Sequence, residues 1–191
     1  YNNSKIEIME NIKVIPNQKV VKYLLIVLLG SLLLAISAKI KIPFYPVPMT
    51  MQTFVVLFMG VTFGWKVGTA TIVVYLFEGI FGLPVFAGTP EKGVGLVYFI
   101  GPTMGYLIGF LFATFLAGFL NLKTNIYFIF FKLIFSVSVI YFFGILWLGI
   151  LIGWDKPIIE LGLTPFLLAE LFKISLLTIL TKKLIKFRKF I

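Results

Sequence analysis

Glu170 and Lys173 lie three residues apart inside the long apolar run 164–180. On a helix that spacing puts both heads on one face, where they can share hydrogen bonds or close on one polar ligand. A carboxylate accepts N–H donors, and an ammonium holds a carbonyl or carboxylate as a point charge. The run is long enough to cross a bilayer, and each such charge costs about 2.5–3.5 kcal/mol at the centre of a membrane helix. Two roles are open: an ion pair that only locks helix packing, or the floor of a binding site. Which other residues share the same depth decides between them.

The elements that carry these residues belong to a membrane protein. Hydrophobic residues make up 60% of the 191, charged residues 13%, and the mean hydropathy is +1.08. A soluble domain of this size has too little core to hide that much apolar surface. Cys and His are both absent, which excludes disulfides, Cys/His metal sites, His-ligated haem and a His-based nucleophilic triad. The net charge of +10 could suggest nucleic acid, but most Lys and Arg flank apolar runs, as contacts with anionic lipid head groups require. The expected partner is membrane lipid, and no nucleic acid. No cleaved signal peptide is expected, because the first apolar run is too long and lacks an A-x-A site.

Along the chain, residues 1–19 mix Lys5, Lys13 and Lys19 with isoleucines and read as a cytoplasmic segment, either amphipathic at the membrane surface or flexible. Residues 20–40 form the first expected span, with small residues Ser31 and Ala35 four apart, a spacing that lets another helix approach. Lys39 is placed to snorkel at its far end. Pro43, Pro46 and Pro48 then forbid helix, so this stretch lies at a face or lines a cavity. Residues 49–81 are too long for one span, about 50 Å at 1.5 Å per residue. Gly64-Trp65-Lys66 divides them into two short helices, the second and third spans, with Gly60, Gly64 and Gly68 allowing a tight hairpin.

Residues 82–100 are punctuated by glycine and proline yet rich in apolar side chains, the composition of a lid or re-entrant wall. Residues 101–120 form the fourth span, with Gly101, Gly105, Gly109, Ala113 and Ala117 as a packing stripe. A polar turn at 121–125 leads to the fifth span, 126–151, where Lys132 can snorkel outward. After a loop at 153–162, Thr164 opens the sixth span and the basic residues from Lys182 end it. The expectation is a single all-α transmembrane domain over 1–191: the segment 1–19, a six-helix bundle over 20–185, and a basic tail at 186–191.

Basic residues set the orientation. With the N-terminus inside, the inner segments hold eleven of them (Lys5, Lys13, Lys19, Lys22, Lys66, Lys123, Lys182, Lys183, Lys186, Arg188 and Lys189), and the outer loops four (Lys39, Lys41, Lys92 and Lys156). Both termini are therefore expected in the cytoplasm, in a multi-pass protein of the cell membrane. The proline stretch, the Gly/Pro loop and the Glu170 half of the last span then converge on the outer side.

Polar candidates near that outer cavity are Thr50, Gln52, Lys92, Tyr98, Thr103 and Tyr106, together with Glu170 and Lys173, and Phe44, Tyr45, Phe86 and Phe99 supply apolar walls. Thr50 and Thr103 have an alternative as helix caps. Lys92 has one as a solvated loop charge, and Glu78 pairs with a loop Lys or reaches water. No nucleotide-binding G-x-x-x-x-G-K-[ST] loop occurs. There is no detectable inverted repeat, and six short spans are few for a self-contained secondary transporter. A small binding protein that draws energy from partners fits these absences.

Pro46-Val47-Pro48-Met49-Thr50-Met51-Gln52-Thr53 resembles the P-V-P-x-T-x-Q-T signature of the BioY family, the biotin-binding substrate-specific (S) subunits of energy-coupling-factor (ECF) vitamin transporters. Gly82-Leu83-Pro84-Val85-Phe86-Ala87-Gly88 is similar to its G-L-P-V-F-A-G segment, and Gly101-Pro102-Thr103-x-Gly105-Tyr106 to its G-P-T-G-G-Y segment. Pro165-Phe166 followed by Glu170-x-x-Lys173 resembles its P-F-x-x-x-D-x-x-K. Glu170 replaces the usual Asp, and Met104 replaces the first Gly of the G-G pair.

The resemblance implies six helices, biotin uptake, no enzymatic activity, no cofactor and no metal. It implies that Thr50, Gln52, Phe86, Lys92, Tyr98, Thr103, Tyr106, Glu170 and Lys173 bind biotin near the outer face, under the long loop between the third and fourth spans acting as a lid. A family arginine of that loop falls on Lys92. The implied partners are a transmembrane coupling subunit, met through Ser31 and Ala35 of the first span, and two cytoplasmic ATPase subunits. An S subunit for another vitamin, or a structural membrane subunit without a ligand, are the alternatives.

Overall fold

The computed structural model describes residues 18–43, 45–88 and 95–190. The first helix, α1 (Gln18–Lys39), is followed by a two-residue antiparallel ladder, β1 (Lys41–Ile42) with β2 (Met49–Thr50), which closes the proline-rich stretch. Then come α2 (Gln52–Ile80), a 3₁₀ segment Gly95–Ile100, α3 (Met104–Phe119), α4 (Ile126–Ile152), the short α5 (Ile158–Gly162) and α6 (Leu167–Leu184). A final 3₁₀ segment, Ile185–Phe190, extends α6.

α2 is two helices. Gly64 has φ 77 and ψ 173, a conformation essentially confined to glycine, and it reverses the chain. Gln52 donates a 2.6 Å hydrogen bond to the Tyr75 hydroxyl, 23 residues away. A Cβ on Gly68 would stand 3.1 Å from the Gly60 Cα, whereas residues eight apart in a continuous helix are separated by about 12 Å. The expected hairpin at Gly64 is therefore present, its halves 52–63 and 65–80 running antiparallel.

The small-residue stripe of α3 does the packing work expected of it. A Cβ on Gly109 would meet the Ile140 Cα at 2.6 Å, and one on Gly118 would meet the Trp65 nitrogen at 2.3 Å. Backbones this close give α3 its contacts with both α4 and the α2 corner. Ala113 and Ala117 are fully buried beside them, with Val56, Ile72, Ile140 and Leu177 completing the core. Leu24, Leu29, Phe131, Phe142 and Phe172 project outward as a continuous apolar exterior. Among the described residues, α1, α4 and the helical run 158–188 are each long and apolar enough to cross a membrane, while α3 and the two halves of α2 are shorter apolar helices.

Several local expectations are corrected. The 153–162 loop contains α5, which begins directly after Pro157. The basic tail does not end the last helix outright, because the chain continues as 3₁₀ turns and folds Arg188 inward. Lys39 does not simply reach outward; it donates to the Phe86 carbonyl at 2.7 Å. Glu78 accepts a 2.8 Å bond from Ser31, a partner within the bundle. Ser31, buried in this contact, and Ala35, half-buried, face the rest of the bundle, while the outer face of α1 is leucine-rich. The segment 1–17 lies outside the described residues.

Candidate functional site

The 3₁₀ turn Thr164–Phe166, with Pro165 inside it, leads into α6, so Glu170 falls in the first turn of that helix rather than at its centre. There the unpaired N–H groups and the helix dipole favour a negative charge. Glu170 and Lys173 are each only 5% exposed. The Lys173 ammonium donates to Glu170 Oε1 at 2.8 Å, to Thr53 Oγ1 at 2.9 Å and to the Thr50 carbonyl at 2.7 Å. An ammonium has three N–H groups, so Lys173 has none left. The Thr53 hydroxyl also donates to Glu170 Oε1, at 2.7 Å. Glu170 Oε2 is buried with no partner at hydrogen-bond distance, and the Tyr141 phenol on the same wall is close enough to interact with the carboxylate.

That carboxylate lines a mostly apolar cavity into which a few polar groups converge, the usual form of a small-molecule site. The proline stretch contributes Val47 and Pro48, the start of α2 contributes Thr50, Gln52 and Thr53, and the loop after α2 contributes Phe86 and Ala87. The far wall is Tyr98, Thr103, Tyr106, Leu107 and Phe110, closed by Ile140, Tyr141 and Phe166.

Each wall is held by specific bonds. Thr50 Oγ1 accepts the Gln52 backbone N–H at 3.3 Å in a local turn, while the cap position of α2 is Met51, so Thr50 is not the helix cap. Gln52 fixes Tyr75, whose hydroxyl donates to the Val85 carbonyl at 3.1 Å and so secures the loop before Phe86. Phe86 stacks on Tyr98 with ring centroids 4.7 Å apart and meets Tyr75 and Phe99 edge-on. Burial pushes the Tyr98 phenol above its ordinary pKa, so it remains a hydrogen-bond donor. Thr103 makes no capping bond to α3; its side chain lines the cavity. The Tyr106 hydroxyl donates to the Gly162 carbonyl at 2.8 Å, tying α3 to α5 while its ring forms wall.

Seven of the residues singled out from the sequence thus line one chamber: Thr50, Gln52, Phe86, Tyr98, Thr103, Tyr106 and Glu170. Lys173 stands behind it, propping Glu170, Thr53 and the Thr50 carbonyl. Lys92 and Phe44 lie outside the described residues. Thr53, Phe110, Tyr141 and Phe166 were missed. Thr53 could have been found, since it lies in the quoted proline-threonine motif and carries a hydroxyl into an apolar helix. Among the described residues no three His, Cys, Asp or Glu side chains gather into a metal site.

A helical bundle with an apolar exterior and a mostly apolar chamber beside a buried carboxylate is a multi-pass membrane protein of the cell membrane, with the form of a small-molecule receptor. The BioY family model matches residues 9–190, and the chain belongs to that family. It is 35% identical over 152 residues to a Pyrococcus horikoshii protein named "Probable biotin transporter BioY", covering 80% of this chain and 89% of that one. It is 33% identical over 155 residues to the "Biotin transporter BioY" of Thermotoga maritima, covering 81% and 90%. Among solved structures, it matches the S-component for biotin from an ECF-type ABC transporter with a TM-score of 0.75 and 27% identity, over 89% of this chain and 94% of that one.

Proposed function

We propose that this chain is the biotin-binding S-component of an ECF-type transporter, capturing biotin in the chamber above Glu170. The observation that carries this reading is the buried, unpaired Oε2 of Glu170 on the cavity wall. A buried acceptor without a partner costs about 1–3 kcal/mol, a cost removed when a ligand donor arrives. The ureido ring of biotin presents N–H donors of that kind, and its apolar body suits Phe86, Phe110, Ile140 and Phe166. Lys173 acts through Glu170 and Thr53, fixing the carboxylate rather than touching the ligand. Thr50, Gln52, Tyr98, Thr103 and Tyr106 complete the contact set, with Lys92 as the further candidate from the long loop. The names of the relatives support biotin as substrate.

In this reading both termini are cytoplasmic and the chamber opens to the outside, its long loop closing over the bound vitamin. The chain then delivers biotin inward when coupled to a transmembrane subunit and two cytoplasmic ATPase subunits. The leucine-rich face of α1 offers the lateral contact, with Ser31 and Ala35 holding that helix against the bundle. The role is transport and not catalysis. The test is native mass spectrometry of the purified protein, followed by competition among biotin, riboflavin and thiamine. Bound biotin displaced only by biotin is expected; displacement by another vitamin, or no saturable ligand, would reject the assignment.

A further inference from the structure

Beside the chamber above Glu170 lies a second, outer cleft whose lining includes Lys41, Pro43 and Tyr45. The two share Pro48, Ala87, Tyr98 and Thr103 as a common collar. Charge is divided between them. Among the described residues, Glu170 is the only charged side chain lining the inner chamber, and Lys41 the only one lining the outer cleft.

Lys41 is held in place at that mouth. β1 pairs it with Thr50, whose carbonyl binds Lys173 on the other side. Its ammonium donates to the Ala87 carbonyl on the collar, at 2.5 Å. An ammonium has three donors, so this contact leaves Lys41 able to bind a further acceptor. Lys39 donates to the adjacent Phe86 carbonyl, which puts a second ammonium on the same short stretch of loop. A buried anion that lacks a donor and a fixed cation therefore stand on adjoining cavities that share one collar.

We infer that Lys41 receives the anionic end of the ligand, so that the site selects a molecule with N–H donors at one end and a carboxylate at the other. This rests on the biotin reading: the ureido ring sits at Glu170, and the valerate carboxylate passes the Pro48/Ala87/Tyr98/Thr103 collar to reach Lys41. Neutral amide or ester forms of the same molecule keep the inner contacts and lose the outer one.

The test compares biotin with the neutral biotin amide on the full-length protein in detergent, for wild type, Lys41→Gln, Lys41→Arg and Lys92→Gln. Gln keeps an N–H for the Ala87 carbonyl but removes the charge. Biotin affinity is expected to fall about ten- to a hundredfold in Lys41→Gln. Amide affinity is expected to stay within about twofold, which also shows that the variant is folded. Lys41→Arg should retain biotin affinity, and the biotin loss in Lys41→Gln should shrink at high salt because Lys41 is exposed. Equal biotin affinity in wild type and Lys41→Gln would overturn the inference. So would an equal loss of both ligands, which marks Lys41 as a clamp on the loop alone, or a carboxylate-specific loss confined to Lys92→Gln. A wild-type protein that binds neither ligand would instead overturn the biotin reading and the inference with it.

Discussion

Two polar centres anchor opposite parts of the bundle, and they are built on contrasting rules. At the start of α6, Glu170 has one oxygen bonded by Lys173 and Thr53 and the other buried with no partner at hydrogen-bond distance. Beyond the end of the same helix, Arg188 folds back to the Gly64 corner and donates to the carbonyls of Val61 at 2.8 Å, Gly60 at 3.0 Å and Ala117 at 3.4 Å. These are carbonyls that the break in α2 and the end of α3 leave without helical partners. The guanidinium fork answers protein groups with protein groups. The carboxylate has protein partners at one oxygen only. The lesson is that a buried charge is read by its unanswered atoms, not by its charge alone.

That contrast can be broken or sharpened by substitution. Lys173→Met should have the largest effect, because it strips the cation from Glu170 and donors from Thr53 and the Thr50 carbonyl together. Removing one partner of a buried pair costs about 3–5 kcal/mol, so thermal unfolding in detergent should fall sharply along with biotin affinity. A variant as stable as wild type would show the pair to be dispensable. Arg188→Met should lower stability by about 2–4 kcal/mol, given about 1.5–3 kcal/mol for a hydrogen bond to a charged group. Its biotin affinity should stay within about threefold of wild type; a larger loss would mean that the corner and the chamber are coupled.

Phe86→Ala removes the ring between Tyr98 and Tyr75, and an equilibrium binding assay should register about a ten- to thirtyfold loss, in line with about 1–3 kcal/mol for apolar pocket contacts. The smallest change expected is Glu170→Asp, which keeps the charge but withdraws it by one methylene. Its biotin affinity should fall by no more than about tenfold. Abolished binding would mean that the longer side chain is matched to this particular chamber.

Much of this architecture is legible in the sequence, for identifiable reasons. Apolar length and Lys/Arg placement locate the helices, and Gly64 within a stretch too long for one span marks the reversal. The small residues of α3 mark close packing because only such residues let backbones meet. Legibility stops where the rotation of a helix or the rotamer of a long side chain decides the outcome. Glu170 and Lys173 share a face, yet only tertiary packing turns one into the chamber and the other onto Thr50 and Thr53. Tyr141 lies in an aromatic-rich helix where nothing local separates a wall from an exterior. Arg188 sits among four nearby lysines that suit lipid head groups equally well, so its return to the α2 corner depends on carbonyls more than a hundred residues away in sequence. The Ser31–Glu78 contact crosses 47 residues and leaves no local trace.

The central claim, that the bare oxygen of Glu170 is where the ligand docks, is tested most directly by titration calorimetry of biotin into purified wild type and Glu170→Gln in detergent. Gln preserves shape and an oxygen for Thr53 and Lys173 but removes the charge and offers N–H groups toward the cavity. Saturable one-to-one binding by wild type and at least about a hundredfold weaker binding by the variant is the expected result. Equal affinity in the two, with both folded, would contradict it.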